Sequence, residues 1–180
     1  MKIVLATPLY PPDIAEPAPY IKELATRLAR EHDVHIVTYG RYVEPIDGVR
    51  ITAVDKRDPL PVRLLRFALT LRRASRHADL VYAENGPSVE FPLLFLSFIT
   101  SFRYVLHLGD VHALERLEHR PLLRLLHNLF KRRAESVFGE LPPERPELIP
   151  FLPRPAQEFE RYERNWKHHV ESFSSLLRHA

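Results

Sequence analysis

The chain has 180 residues with a formal net charge of +3 at pH 7, and 45% of its residues are hydrophobic. This size and composition predict one globular domain with a substantial core, or one such domain with an appendage. The 17 prolines against 5 glycines predict stiff loops. The absence of cysteine excludes disulfides, thiolate metal ligands and cysteine nucleophiles. The longest apolar run, residues 91–100, is far shorter than the ~20 residues of a membrane span, and the N-terminus shows no signal-peptide pattern. We therefore expect a cytoplasmic protein.

Strand and helix patterns alternate along most of the chain. In chain order, they predict a strand over residues 2–6, a helix over 20–31, strands over 34–40 and 48–55, a helix over 61–77, a strand over 78–85, a helix over 88–100, a strand over 103–110, and helices over 113–119 and 122–135. Pro92 is expected in the first turn of its helix, where proline is tolerated. Residues 136–140 or residues 147–151 could supply a sixth strand.

This alternation predicts the fold class α/β, as a single Rossmann-like domain with a parallel sheet flanked by helices over residues 1–140. A proline-rich connector follows over residues 141–155, and a closing helix over residues 156–180. The apolar stripe of that helix predicts that it packs back on the sheet domain. The stripe consists of Trp166, Val170, Phe173 and Leu177.

Open α/β sheets bind ligands beyond the carboxyl ends of their parallel strands. That rule alone selects the segments after the first, second, fourth and fifth strands. They are residues 7–19, 39–42, 84–88 and 108–112.

Several segments, in the right order, carry a resemblance to a known family. "MKIVLATPLYPPDI" with "PAPYIKELATRLA", then "HDVHIVTYG", "DLVYAENG" and "RYVLHLGDVHALER", together resemble the N-terminal, acceptor-side domain of family 4 glycosyltransferases of the GT-B fold over residues 1–133. The tail "YERNWKHHVESFSSLL" resembles the last helix of such enzymes, which returns to the first domain. The second Rossmann-like domain of these enzymes, which grips the nucleotide-sugar donor, has no counterpart in the sequence, where only the connector separates domain and helix.

The first loop departs from the family pattern. The family places a Gly-Gly pair after Tyr-Pro-Pro so that the backbone can approach the donor phosphates, and this chain has Ala15-Glu16 there. A carboxylate near a pyrophosphate costs roughly 1–4 kcal/mol at effective dielectrics of 20 to 80, unless Glu16 turns outward to solvent. The residues expected in loops facing the acceptor or donor are Asp13, Ile14, Ala15, Glu16, Glu84, Asn85, Gly109 and Asp110.

The resemblance implies a catalytic base near the end of the fifth strand, and Asp110 is the candidate. The alternative for Asp110 is an N-cap of the following helix. His107, on a buried strand, is expected to be a hydrogen-bonded core residue, and a polar turn suffices to explain Glu84 and Asn85. The histidines lack metal-ligand spacing, so no metal site is predicted.

A basic helix, residues 61–77, has two interpretations. It is either an exposed helix packed on the sheet, or a surface that anionic lipid attracts. The membrane-surface candidates are Arg63, Arg66, Arg72, Arg73 and Arg76. Nucleic-acid binding is not predicted, because the basic residues lack interleaved aromatic side chains and no known binding motif is present.

The sequence is compatible with three functions. The chain could be half of a glycosyltransferase that acts on a lipid-linked or glycan acceptor, with a separate donor-binding subunit supplying the nucleotide-sugar. It could be a non-catalytic binding or scaffolding relative, or a membrane-peripheral adaptor at the inner face of the membrane. We do not expect the isolated chain to transfer sugar, because nothing closes over a donor to exclude water, and no cofactor of its own is predicted.

Overall fold

The computed structural model describes residues 1–15, 17–100, 102–109, 114, 115, 117, 119–138 and 156–179, without the side chains of residues 138, 156–157 and 176–179. The secondary-structure elements are, in chain order, β1 (Lys2–Ala6), α1 (Pro17–Leu28), β2 (Asp33–Tyr39), β3 (Arg50–Val54), α2 (Leu60–Ser75), β4 (Leu80–Glu84), α3 (Pro87–Ile99), β5 (Tyr104–His107), α4 (Pro121–Arg133), β6 (Ser136–Phe138) and α5 (Ala156–His179).

All strands of the sheet are parallel, in the order β3-β2-β1-β4-β5-β6. The central strand β1 pairs on both sides, with Leu5 opposite Ile36 of β2 and Tyr82 of β4. The chain order reverses direction between β1 and β4, and in Rossmann-like sheets this switch point is where ligands bind. The predicted parallel α/β domain is confirmed.

The four inner strands bury side chains on both of their faces, which requires a helical layer on each side of the sheet. These strands are β1, β2, β4 and β5. Ile3 and Leu5 point to the layer of α1 and α5, and Val4 and Ala6 point to the layer of α2, α3 and α4. The sequence of β1 is therefore apolar at successive positions because both of its faces are buried. A strand with one buried face would instead alternate apolar and polar residues.

The closing helix packs back on the sheet domain, as predicted, and it lies on the α1 side of the sheet. Trp166 is fully buried, Phe173 is nearly so, and Val170 is half-buried against the same core. The fourth residue of the predicted stripe, Leu177, lies outside the described side chains. Burying a large apolar side chain stabilises by about 1.5–3 kcal/mol, so this helix contributes substantially to the core.

The structure corrects the position of Pro92, which lies inside α3 and not in its first turn. A proline has no N–H, so the carbonyl four residues earlier, that of Ser88, loses its helical donor. The Tyr39 hydroxyl donates to the Ser88 carbonyl oxygen at 2.7 Å instead. A side chain from β2 thus satisfies the carbonyl that Pro92 leaves open.

The sixth strand is the first of the two predicted candidates, since β6 begins at Ser136. The other candidate, residues 147–151, and the connector, residues 141–155, lie outside the described residues, as do residues 113, 116 and 118 of the predicted helix over residues 113–119. Both α1 and α3 begin earlier than predicted, at Pro17 and Pro87. Proline is favoured at the first helical position because its missing N–H would be unpaired there anyway.

Candidate active site

Hydrogen bonds join the carboxyl ends of β1, β4 and β5, which lie side by side along one edge of the sheet. We call this the carboxyl edge. The Thr7 hydroxyl, directly after β1, donates to Glu84 Oε2 at 2.7 Å. The Asn85 N–H, directly after β4, donates to the His107 carbonyl at 2.9 Å. Three of the loops that the sequence analysis selected therefore start from adjacent points.

A buried polar cluster lies beneath this edge, on the α1 side of the sheet. Glu84 is fully buried, and its Oε1 lies 4.0 Å from Nδ1 of His107. The same Nδ1 is 2.6 Å from the Tyr82 hydroxyl. Tyr82 and Glu84 are two residues apart on β4, so the pleat places them on the same side. The cluster combines a carboxylate and an imidazole, the groups that general acid–base chemistry uses.

The cluster continues to the closing helix through Tyr20 of α1. The Tyr20 ring centroid is 5.6 Å from that of His107, and its hydroxyl is 2.9 Å from Nε2 of His169 on α5. Trp166 stacks against Tyr20 with a centroid separation of 5.9 Å. Helix α5 therefore contacts both the buried polar cluster, through Tyr20, and the hydrophobic core.

The first loop is held by contacts with the segments after β2 and β3. Asp13 pairs with Lys56 at 2.5 Å, and the Tyr10 hydroxyl donates to the Glu44 carbonyl at 2.9 Å. Burial, followed by the nearby Glu44 carboxylate, raises the pKa of Tyr10 to about 12. Directly after Asp13, the side chain of Ile14 is 97% exposed. A large apolar side chain presented to solvent at this edge is available for contact with a ligand or a second domain.

Gly86 shapes the start of α3 at the same edge. Its φ of +143° is a conformation that side chains disfavour, and a Cβ there would lie 3.6 Å from Cγ of Pro8. The Gly86 N–H donates to Glu90 Oε1 at 3.1 Å, and both carboxylate oxygens of Glu90 are 3.0 Å from Nδ1 of His127 on α4. The buried Glu90–His127 pair thus fixes the beginning of α3.

The predicted site residues fall into three groups in the structure. Ile14 and Ala15 are exposed on the first loop, and Asp13 is half-buried in its ion pair. Glu84 and Asn85 are buried at the base of the edge, and Gly109 is half-buried after β5. Glu16 and Asp110 lie outside the described residues, so their roles stay predictions. His107 is buried and hydrogen-bonded, as expected.

The arginines of α2 are not equivalent. Arg63 is half-buried, with its guanidinium carbon 5.6 Å from the Tyr39 ring centroid, and it donates to the Lys56 carbonyl at 3.1 Å. Arg66 pairs with Asp58 at 2.6 Å. The remaining three candidates are exposed near the end of the helix. They are Arg72, Arg73 and Arg76.

Sequence reasoning placed Thr7 in the first of the selected segments without naming it as a site residue, and it missed Tyr20 and His169. Thr7 carried a usable signal, because it directly follows a central strand whose carboxyl end must lie beside that of β4. Tyr20 and His169 carried no such signal in the sequence, since the contact between their side chains depends on how α5 crosses α1. Among the described residues, no group of three or more His, Asp or Glu side chains is placed to hold a metal ion. In the described part of the chain, no helix combines the length and apolar character needed to cross a membrane.

The fold and the edge together define a Rossmann-like domain of the kind found in glycosyltransferases with the GT-B fold. The chain belongs to the glycosyl transferase 4-like domain family, whose model matches residues 16–159. No curated protein matches the chain.

Solved structures share the fold at low sequence identity. HepE from Anabaena, solved in complex with UDP and glucose, is 20% identical with a TM-score of 0.53, over 76% of this chain and 37% of that one. Sucrose-phosphate synthase from Thermosynechococcus elongatus is 13% identical with a TM-score of 0.60, over 76% of this chain and 41% of that one. The chain thus spans well under half the length of either structure.

Proposed function

We propose that this chain is the acceptor-side domain of a glycosyltransferase and that sugar transfer needs a nucleotide-sugar-binding domain supplied by another chain. The observation that carries the proposal is the family match over residues 16–159, in a chain that corresponds to 37% of HepE, a protein solved with UDP and glucose. The acceptor would be a glycan or lipid-linked glycan whose hydroxyl group lies at the carboxyl edge of the sheet.

The edge supports this assignment through its chemistry. A buried carboxylate and imidazole, Glu84 and His107, underlie the loop that continues from Gly109 to Asp110. In this proposal Asp110 takes the proton from the acceptor hydroxyl, while the buried cluster holds the strand ends in place. General-base catalysis contributes about 10²–10⁴-fold to rate.

The test is a reconstitution of transfer. The chain is co-expressed with lone donor-binding domains from the same genome, and release of nucleoside diphosphate from nucleotide-sugars is measured for each subunit and for the pair. We expect turnover only from the pair, reduced about 10²–10⁴-fold by Asp110→Asn. Asp47→Asn, in an exposed loop, is the matched control. Turnover by the isolated chain would refute the need for a partner, and full activity of Asp110→Asn would refute its role as base.

A second candidate, a non-catalytic binding domain, is favoured by the first loop. Ala15, which stands where the family has a glycine, is exposed and brings a Cβ to the edge, and Glu16 follows it with a carboxylate. Calorimetry with UDP-sugars separates the two candidates. Binding by the reconstituted pair supports the transferase, whereas no binding in any pairing supports the second candidate.

A further inference from the structure

Helices α2, α3 and α4 present large apolar side chains to solvent on their outward sides, which we call the three-helix surface. Leu65 and Leu69 of α2, Phe95 and Phe98 of α3, and Leu122 and Leu125 of α4 are between 43% and 66% exposed. Soluble monomers rarely expose contiguous apolar patches of more than a few hundred Å². The side chains that pack these helices on the sheet point the other way, so the exposed set is a second apolar face.

The exposed side chains belong to one continuous surface. Helix α3 lies between α2 and α4 and packs against both. Arg133 of α4 places its guanidinium carbon 4.5 Å from the Phe98 ring centroid and donates to the Ser97 carbonyl at 2.7 Å. On the other side, Leu69 lines the same groove as Thr100, the residue after α3.

The charges on this surface have one sign. Neither α2 nor α4, both fully described, contains Asp or Glu. The acidic residue of α3, Glu90, is buried against His127. The exposed charged side chains of these helices are all arginines, and apart from Arg66, which pairs with Asp58, they lie at the carboxyl end of α2 and along α4. They include Arg72, Arg73, Arg124 and Arg132.

We propose that the three-helix surface docks on the face of a bilayer rich in anionic lipid. Apolar side chains flanked by arginine match the boundary between acyl chains and headgroup phosphates, where amphipathic helices bind without crossing the membrane. A second copy of the chain would oppose the same positive charge, which disfavours self-association through this face. The surface lies on the outer side of a helical layer and not at the carboxyl edge, so docking leaves that edge open and does not depend on sugar transfer.

Vesicle flotation tests the proposal with the full chain. We expect it to float with vesicles of phosphatidylcholine and phosphatidylglycerol, to bind phosphatidylcholine alone far more weakly, and to be released in about 1 M NaCl, where the Debye length is about 3 Å. Replacing Arg72, Arg73 and Arg76 together by Gln should weaken binding about 100-fold, because each basic residue near the surface contributes about five-fold. Phe95→Ser with Leu125→Ser should weaken it about tenfold per side chain.

Matched controls lie on α5, on the opposite side of the sheet. Arg161, Arg164 and Lys167 are exposed and their joint replacement by Gln removes the same charge, while Phe159→Ser removes an exposed aromatic ring. These variants should bind like wild type, and circular dichroism should show every variant folded. Equal binding to neutral and anionic vesicles, no binding to either, or an equal loss in the α5 variants would overturn the proposal. So would a dimer, seen by analytical ultracentrifugation, that Phe95→Ser dissociates while vesicles bind neither form.

Discussion

Replacing Arg27 tests whether one buried arginine holds the closing helix in place. Arg27 of α1 donates from Nη1 and Nη2 to the two carboxylate oxygens of Glu163 on α5, at 3.0 and 2.6 Å. Its Nε donates to Glu23 at 2.7 Å, and its guanidinium carbon lies 5.2 Å from the Trp166 ring centroid. The substitution Arg27→Met keeps most of the apolar stem and removes these polar and charged contacts.

The expected loss of stability follows from the exposure of each partner. Hydrogen bonds to charged groups contribute about 1.5–3 kcal/mol, but the Glu163 side chain is 40% exposed and regains water, which favours the lower end. The contact with the Trp166 ring adds about 0.5–1 kcal/mol. We therefore expect Arg27→Met to lower the free energy of unfolding by about 2–3 kcal/mol, which corresponds to about 5–10 °C in Tm for a domain of this size.

Trp166 is the only tryptophan in the sequence and is fully buried, so its fluorescence reports the docking of α5. In Arg27→Met, its emission should shift to the red at lower denaturant concentration than in wild type and before the far-UV circular dichroism changes, because α5 separates first. Arg30→Met, an exposed change in the turn that follows α1, is the control. The reasoning is refuted if Arg27→Met costs less than about 0.5 kcal/mol, the usual range of surface substitutions, or if Arg30→Met costs as much.

Three further predictions concern other parts of the sheet domain. Burial lowers the pKa of His35 in the folded state, so the unfolded state binds its proton first as pH falls. The free energy of unfolding should therefore decrease as pH drops below about 6.5. In urea titrations, His35→Asn should show a shallower dependence of this free energy on pH, and the same dependence as in wild type would contradict this. Tyr39→Phe removes the donor to the Ser88 carbonyl and should cost about 1–3 kcal/mol, whereas Tyr42→Phe, on an exposed side chain, should be neutral in the same thermal melts. Gly86→Ala imposes a Cβ on a residue with φ of +143° and should cost about 1–3 kcal/mol; a Tm equal to that of wild type would show that this loop relaxes freely.

The sequence predicted the sheet well because its signals are local. The residues of β1 are those predicted, since a short apolar run bounded by a proline-rich loop has few other interpretations. The start of α1 was predicted three residues too late, because Pro17 and Pro19 suggest a loop, although both occupy the first turn, where they replace N–H groups that have no helical partner.

The candidate site was predictable only at the level of loops. Parallel strands share a carboxyl edge, which was enough to bring the loops after β1, β4 and β5 together. The hydrogen bond from Thr7 to Glu84 depends on the register of β1 against β4, in which Ala6 faces Ala83. That register is set by packing between residues far apart in the chain, and no local pattern in the sequence encodes it.

The hydroxyl of Tyr39 and the ring of Pro92 are a matched pair, because one supplies the donor that the other removes. Pro92→Ala would return an N–H to the Ser88 carbonyl, and the cost of Tyr39→Phe should then shrink in a double-mutant cycle. Homologous chains should therefore show covariation between these positions, with phenylalanine tolerated at the strand position where the helix position is not proline. The proline inside α3 and the tyrosine at the end of β2 would in that case be inherited as one unit.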